Sequence, residues 1–90
     1  MFTRLGPNSA QSTDGFRVER IGRMELKYSE GSRSVTVEVE PGDGLAIYRG
    51  TITSWNPPHN DDSLTGEDKA RIIRNICAAL EFLGTEYVLA

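Results

Sequence analysis

The sequence predicts an α+β fold: an antiparallel strand meander of about four to five strands, with one amphipathic helix packed across one face. Three observations predict it. Apolar residues between Thr65 and Leu83 recur at the helical period. Residues Met24–Tyr28 and Val35–Val39 alternate apolar with polar, as half-buried strands do. Gly31-Ser32 and Pro41-Gly42-Asp43-Gly44 are turn sequences that punctuate these runs.

Residues 1–15 are rich in Gly, Pro, Ser, Asn, Gln and Thr, with Phe2 and Leu5 as the only sizeable apolar side chains besides Met1. They predict a flexible N-terminal arm, with Phe2 or Leu5 tacked onto the body. Residues 16–90 form the single α+β domain. Phe16–Ile21 is a short strand that Gly22 breaks or bulges.

The next two strands form a hairpin. Gly31-Ser32 suits a two-residue turn of type II′, which places Gly first. That register sets Tyr28 opposite Val35, Leu26 opposite Val37 and Met24 opposite Val39, so all six apolar side chains share one face. Glu30 then faces Arg33, a favourable pair, and Glu25 faces Glu38, an unfavourable one. Arg17, Arg20 or Arg49 is expected to relieve it. Leu45–Thr53 follows as a further strand with two registers open. In the preferred one Leu45 and Ile47 face the helix, a bulge at Gly50 restores Ile52 to that side, and Tyr48 lies on the open face. In the other Ala46, Tyr48 and Ile52 face it. Paired prolines stop both ladder and helix, so Trp55-Asn56-Pro57-Pro58 is a stiff crossing. Thr85–Leu89 closes the sheet as a last strand.

In the helix, Ala70, Ile73, Ile76, Cys77, Leu80 and Leu83 fall on one side, widened by Ile72 and Ala79. Thr65 is the expected N-cap, with Asp68 completing a capping box, and Gly84 the stop. Glu67 and Arg71 are spaced to pair one turn apart. Phe82 falls on the far side, in a stripe with Arg71, Asn75 and Ala78. Either the N-terminal segment or a loop covers this last turn, or the stripe binds a partner, since aromatics and Arg are enriched at interfaces.

The 90 residues make one domain with a thin core, and 38% hydrophobic and 26% charged residues suit a globular chain. A net charge of −3 argues against a general nucleic-acid binder. No apolar run approaches the ~18 residues of a membrane span, and the N-terminus lacks a secretory signal. No membrane partner and a cytoplasmic location are therefore expected. Cys77, the single cysteine, is expected as a buried thiol on the apolar helix face.

Chemistry-bearing constellations are sparse. His59, the only histidine, has Asp61 and Asp62 beside it but no second histidine, too few ligands for a metal. Glu38 and Glu40 share a strand face, with no pocket evident to tune them. No phosphate-binding glycine motif is present. Neither a catalytic set, a metal site nor a cofactor site is assigned. Asp61, Asp62, Glu67 and Asp68 form the one acidic concentration. It serves the helix start, or offers negative charge to a cationic partner. Trp55 is either a lid between sheet and helix or an exposed anchor for a partner.

A Val-Glu-Val-Glu strand ending, a strand closing on Ile52-x-x-Trp55-Asn-Pro-Pro58, and a helix opening Thr65-Gly-Glu-Asp-Lys-Ala-Arg-Ile-Ile-Arg-Asn-Ile76 together resemble one family. It is the family numbered seventy-four among the small bacterial immunity proteins associated with polymorphic toxins. The likeness covers about Met24 to Gly84. It is carried by Glu38 or Glu40, Trp55, Pro58, Ile72, Ile73 and Ile76. The resemblance implies a non-enzymatic protein that binds and neutralises a cognate toxin. The alternative is a small homo-oligomeric module, joined through the open sheet face or the Phe82 stripe. The residues expected to meet a partner are Trp55, Asp61, Asp62, Arg71, Asn75, Ala78 and Phe82.

Overall fold

The computed structural model describes residues 1–90. It is an α+β structure with one helix and a curled, mixed sheet of seven strands, more than the four to five expected. The strands are β1 (Phe2–Gly6), β2 (Ser9–Ser12), β3 (Phe16–Arg20), β4 (Glu25–Glu30), β5 (Arg33–Glu40), β6 (Leu45–Ile47) and β7 (Tyr87–Leu89). Their spatial order is their chain order. Pairing is antiparallel from β1 to β6, whereas β7 runs parallel to β6. Helix α1 (Gly66–Leu83) lies in the crossover between β6 and β7. Parallel neighbours need a long connection of this kind.

Two of the additional strands come from residues 1–15. The segment expected to be an arm is a hairpin whose second strand pairs with β3. Few of its side chains are apolar, but the backbone ladder and the helix supply what the composition lacks. Ala10 is fully buried, and Phe2 packs edge-on against Phe16 at 5.6 Å. Arg4 donates to the Leu83 carbonyl (3.3 Å), placing a cation at the negative end of the helix dipole. The last turn of α1 has no basic residue of its own.

The central hairpin keeps the expected register. Leu26 faces Val37 and Tyr28 faces Val35, with Glu25 opposite Glu38 and Glu30 opposite Arg33. Gly31 carries the positive φ of the turn, 57°, and Ser32 does not, as a type II′ turn requires. Met24 departs from the shared face. Its carbonyl still accepts from the Val39 N–H (3.0 Å), but β4 starts only at Glu25 and the Met24 side chain is 45% exposed.

Leu45 and Ile47 point inward, and Ile52 is buried with them. A 3₁₀ turn at Arg49–Thr51, rather than a bulge in a continuous strand, restores that alignment. Because β6 is short, β5 would be left partly unpaired along its outer edge. The crossing segment covers that edge. Thr51 Oγ1 accepts from the Glu38 N–H (3.0 Å) and the Asn56 N–H donates to the Ser34 carbonyl (2.7 Å). Asn56 Nδ2 adds bonds to Ser34 Oγ and Thr36 Oγ1, both 3.1 Å. The Pro57–Pro58 bond that follows is cis.

The helix lies across β1, β2 and β3. Thr65 and Asp68 form the capping box, with Asp68 N–H to Thr65 Oγ1 at 3.1 Å and Thr65 N–H to Asp68 Oδ2 at 3.0 Å. Gly84 closes the helix at φ 74°, and the Thr85 N–H reaches back to the Leu80 carbonyl (2.9 Å), a Schellman ending. The buried side chains are Ile72, Ile76, Ala79 and Leu80. Ile73, Cys77 and Leu83 are half-buried and Ala70 is exposed. At about 100° per residue, the helix is turned by roughly 60° from the expected setting. The turn brings the Asn75–Phe82 side onto the sheet and lifts Cys77 toward the surface.

Candidate functional site

That rotation decides where the expected partner residues stand. Arg71 grips Glu30 with two bonds, Nε to Oε1 at 3.2 Å and Nη2 to Oε2 at 2.9 Å. Its Nη2 also reaches Asp68 Oδ1 at 2.9 Å, so Asp68 replaces the expected Glu67 as the intrahelical partner. Tyr28 donates to Glu30 Oε1 (2.9 Å), and Asn75 Nδ2 donates to the Tyr28 hydroxyl (2.9 Å). A single network therefore runs from the helix cap through Asp68, Arg71, Glu30 and Tyr28 to Asn75. The backbone bond from Thr65 holds the Asp68 carboxyl below the usual carboxylate range, with Arg71 adding to the effect. Burial pushes the Tyr28 hydroxyl up to about 12; the nearby Glu30 carboxylate acts the same way, and the Asn75 bond opposes it.

Phe82 stacks on Phe2 at 5.2 Å, so the N-terminal segment covers part of the last helical turn. Phe82 remains 42% exposed, and Ala78 is exposed beside it. Trp55 is only 1% exposed and donates its indole N–H to the Ser63 carbonyl at 3.3 Å. It is the lid, not an exposed anchor. Arg33 lies over its ring at 5.4 Å and pairs loosely with Asp62 at 3.8 Å, while His59 Nδ1 lies 3.2 Å from Asp62 Oδ2. Asp61 and Asp62 are exposed. The structure thus brings Arg71 and Asn75 together on the sheet and leaves Asp61, Asp62, Ala78 and Phe82 at the surface.

Sequence reasoning missed Glu30 and Tyr28 as the partners of Arg71 and Asn75, whereas the expected cover of Phe82 by the N-terminal segment is supplied by Phe2. Glu30 has Arg33 as its ladder neighbour, yet its side chain turns to a residue 41 positions on. The available signal was the odd helix face itself: an Arg, an Asn and an aromatic there need sheet partners.

On the outer sheet face Tyr48 donates to Glu40 Oε2 at 2.5 Å, a bond that raises the Tyr48 pKa above its ordinary value. Glu25 and Glu38 are exposed, and no ion pair relieves them. Arg17 binds Gln11, Arg20 binds the Arg23 carbonyl and Arg49 the Ala90 carbonyl instead. No three His, Cys, Asp or Glu side chains converge as a metal site would require. No helix is long and apolar enough to cross a membrane.

A family model described as Immunity protein 74 matches residues 19–89, from the end of β3 to the end of β7. The chain belongs to the Immunity protein 74 family. The match extends past the Met24–Gly84 likeness at both ends and leaves β1 and β2 outside it. Trp55, Ile72 and Ile76, three carriers of the likeness, are core residues of the immunity-family fold here. Neither a curated protein nor a solved structure matches the chain.

Proposed function

We propose that this protein is a non-enzymatic immunity protein that binds a cognate bacterial toxin in the cytoplasm of the producing cell and neutralises it by occlusion. Membership of the Immunity protein 74 family carries this reading. Of the residues expected at a partner interface, Asp61, Asp62, Ala78 and Phe82 are accessible, with Arg71 half-exposed behind them. Co-expression with the toxin-like product of the adjacent gene tests the reading. Restored growth and a co-purifying complex are expected; no rescue and no complex would end it.

One observation favours a second reading, a homo-oligomeric module. Strand β7 is an edge strand, and Val88 on it is 57% exposed. Apolar edges of this kind pair with further strands. Sedimentation at micromolar concentration separates the two: a monomer that shifts only when toxin is added excludes the module.

A further inference from the structure

A recess on the outer face, where β4 and β5 meet the chain leaving β6, is bordered by side chains that stand outside the core. Met24 and the half-buried Tyr48 form its apolar part and Glu25 and Glu38 its acidic part, around about 360 Å³, with Val39 fully buried beneath. Glu40 adds a third carboxylate at the rim through its bond to Tyr48. Glu25 and Glu38 are direct cross-strand neighbours, and like charges so placed repel. As described above, no arginine of this chain answers them.

We propose that this recess receives a lysine or arginine side chain from a partner protein. The apolar stem of such a side chain lies between Met24 and the Tyr48 ring, as long cationic side chains do on apolar surface. Its charged end sits among Glu25, Glu38 and Glu40, where hydrogen bonds to carboxylates are charge-assisted, and beside the face of Tyr48. The mixed lining selects this occupant. A bare metal ion would need convergent carboxylates, which are absent. Nucleic acid and anionic lipid would meet three negative groups. The inference rests on the immunity reading only for the partner's identity, a toxin presenting a basic residue.

Two experiments separate the recess from that reading. The first maps backbone amide shifts of the protein on titration with a tetra-arginine peptide, with tetra-glutamate as control. Saturable shifts at Met24, Glu25, Glu38, Val39 and Tyr48 are expected. They should vanish in the Glu25→Gln/Glu38→Gln variant, whose thermal midpoint is unchanged or raised because a repulsion is removed. Absent shifts, shifts centred on Asp61 and Asp62, or shifts that persist in the variant would overturn the recess. The second compares protection against the adjacent-gene toxin. Expected is rescue by the wild type and a loss of at least about tenfold in toxin affinity in the variant, as for a truncated charge contact. Equal rescue and equal affinity overturn the recess and leave the immunity reading standing. Failure of the wild type to rescue overturns the immunity reading, and the peptide titration then decides the recess alone.

Discussion

Glu30 and Arg71 lie 41 residues apart in the chain, yet they join hairpin to helix by a two-pronged bond at 3.2 and 2.9 Å. Arg71 is the hub, because Asp68 takes a further bond from the same guanidinium and at the same time caps the helix. The orientation of α1 on the sheet is therefore tied to its first turn.

Glu30→Gln keeps the volume and loses the charge. It is expected to cost about 1 kcal/mol, the scale of a half-exposed charged bond. Arg71→Lys should act in the same direction, since an ammonium cannot reproduce the fork. The double variant should lose clearly less than the sum of the two, because both remove one interaction. Urea denaturation of the four proteins checks this.

The Tyr28 hydroxyl ionises near 10 in an unfolded chain and near 12 here. The fold prefers its neutral form. That contribution is complete below pH 10 and is lost as pH rises from 10 to 12. Its size is at most about 3 kcal/mol for a two-unit shift. Thermal melts across that range should fall more steeply for the wild type than for Tyr28→Phe. Parallel curves would remove Tyr28 as a cause.

Trp55 is buried in the core, although the chain on either side of it has neither helix nor strand structure. Trp55→Ala should cost about 3–5 kcal/mol, as truncation of a large buried aromatic does. Trp55→Phe should cost less. Circular dichroism during denaturation is the suitable measurement, because the variants have no tryptophan to report.

Phe2 and Phe82 stack across the joint between the first strand and the last helical turn. Each alanine variant should destabilise by about 1 kcal/mol, less than a fully buried Phe. Their coupling in a double-mutant cycle should be about 0.5–1.5 kcal/mol. Zero coupling would mean that the N-terminal hairpin does not hold the helix.

The parts of the fold legible in the sequence are those written in local order. The β4–β5 register follows from alternation plus the turn at Gly31, and the capping box follows from Thr65 and Asp68 three residues apart. The β1–β2 hairpin was not legible because its stability comes from β3 and α1, not from its own side chains. The helix rotation was not legible either. Periodicity weighs Ala70 and Cys77 with the isoleucines, whereas Tyr28, Glu30 and Phe2 pull the opposite flank onto the sheet. For the same reason the candidate site was only half visible. Asp61 and Asp62 are exposed as a loop implies, and the N-terminal segment covers Phe82 as its place on the far helix side allows, but the distant partners of Arg71 and Asn75 have no spacing that announces them.

The segment that covers β5 bears on how the protein behaves in a crowded cell. An uncovered stretch of a long, valine-rich strand is a template on which another chain can assemble into aggregates. Here Asn56 occupies the Ser34 and Thr36 positions of that edge, and the two prolines after it have no N–H to extend a ladder. Asn56 thus acts as a gatekeeper. Its replacement by Ala would be felt first as fibrillation on prolonged incubation and only secondarily as a lower melting temperature.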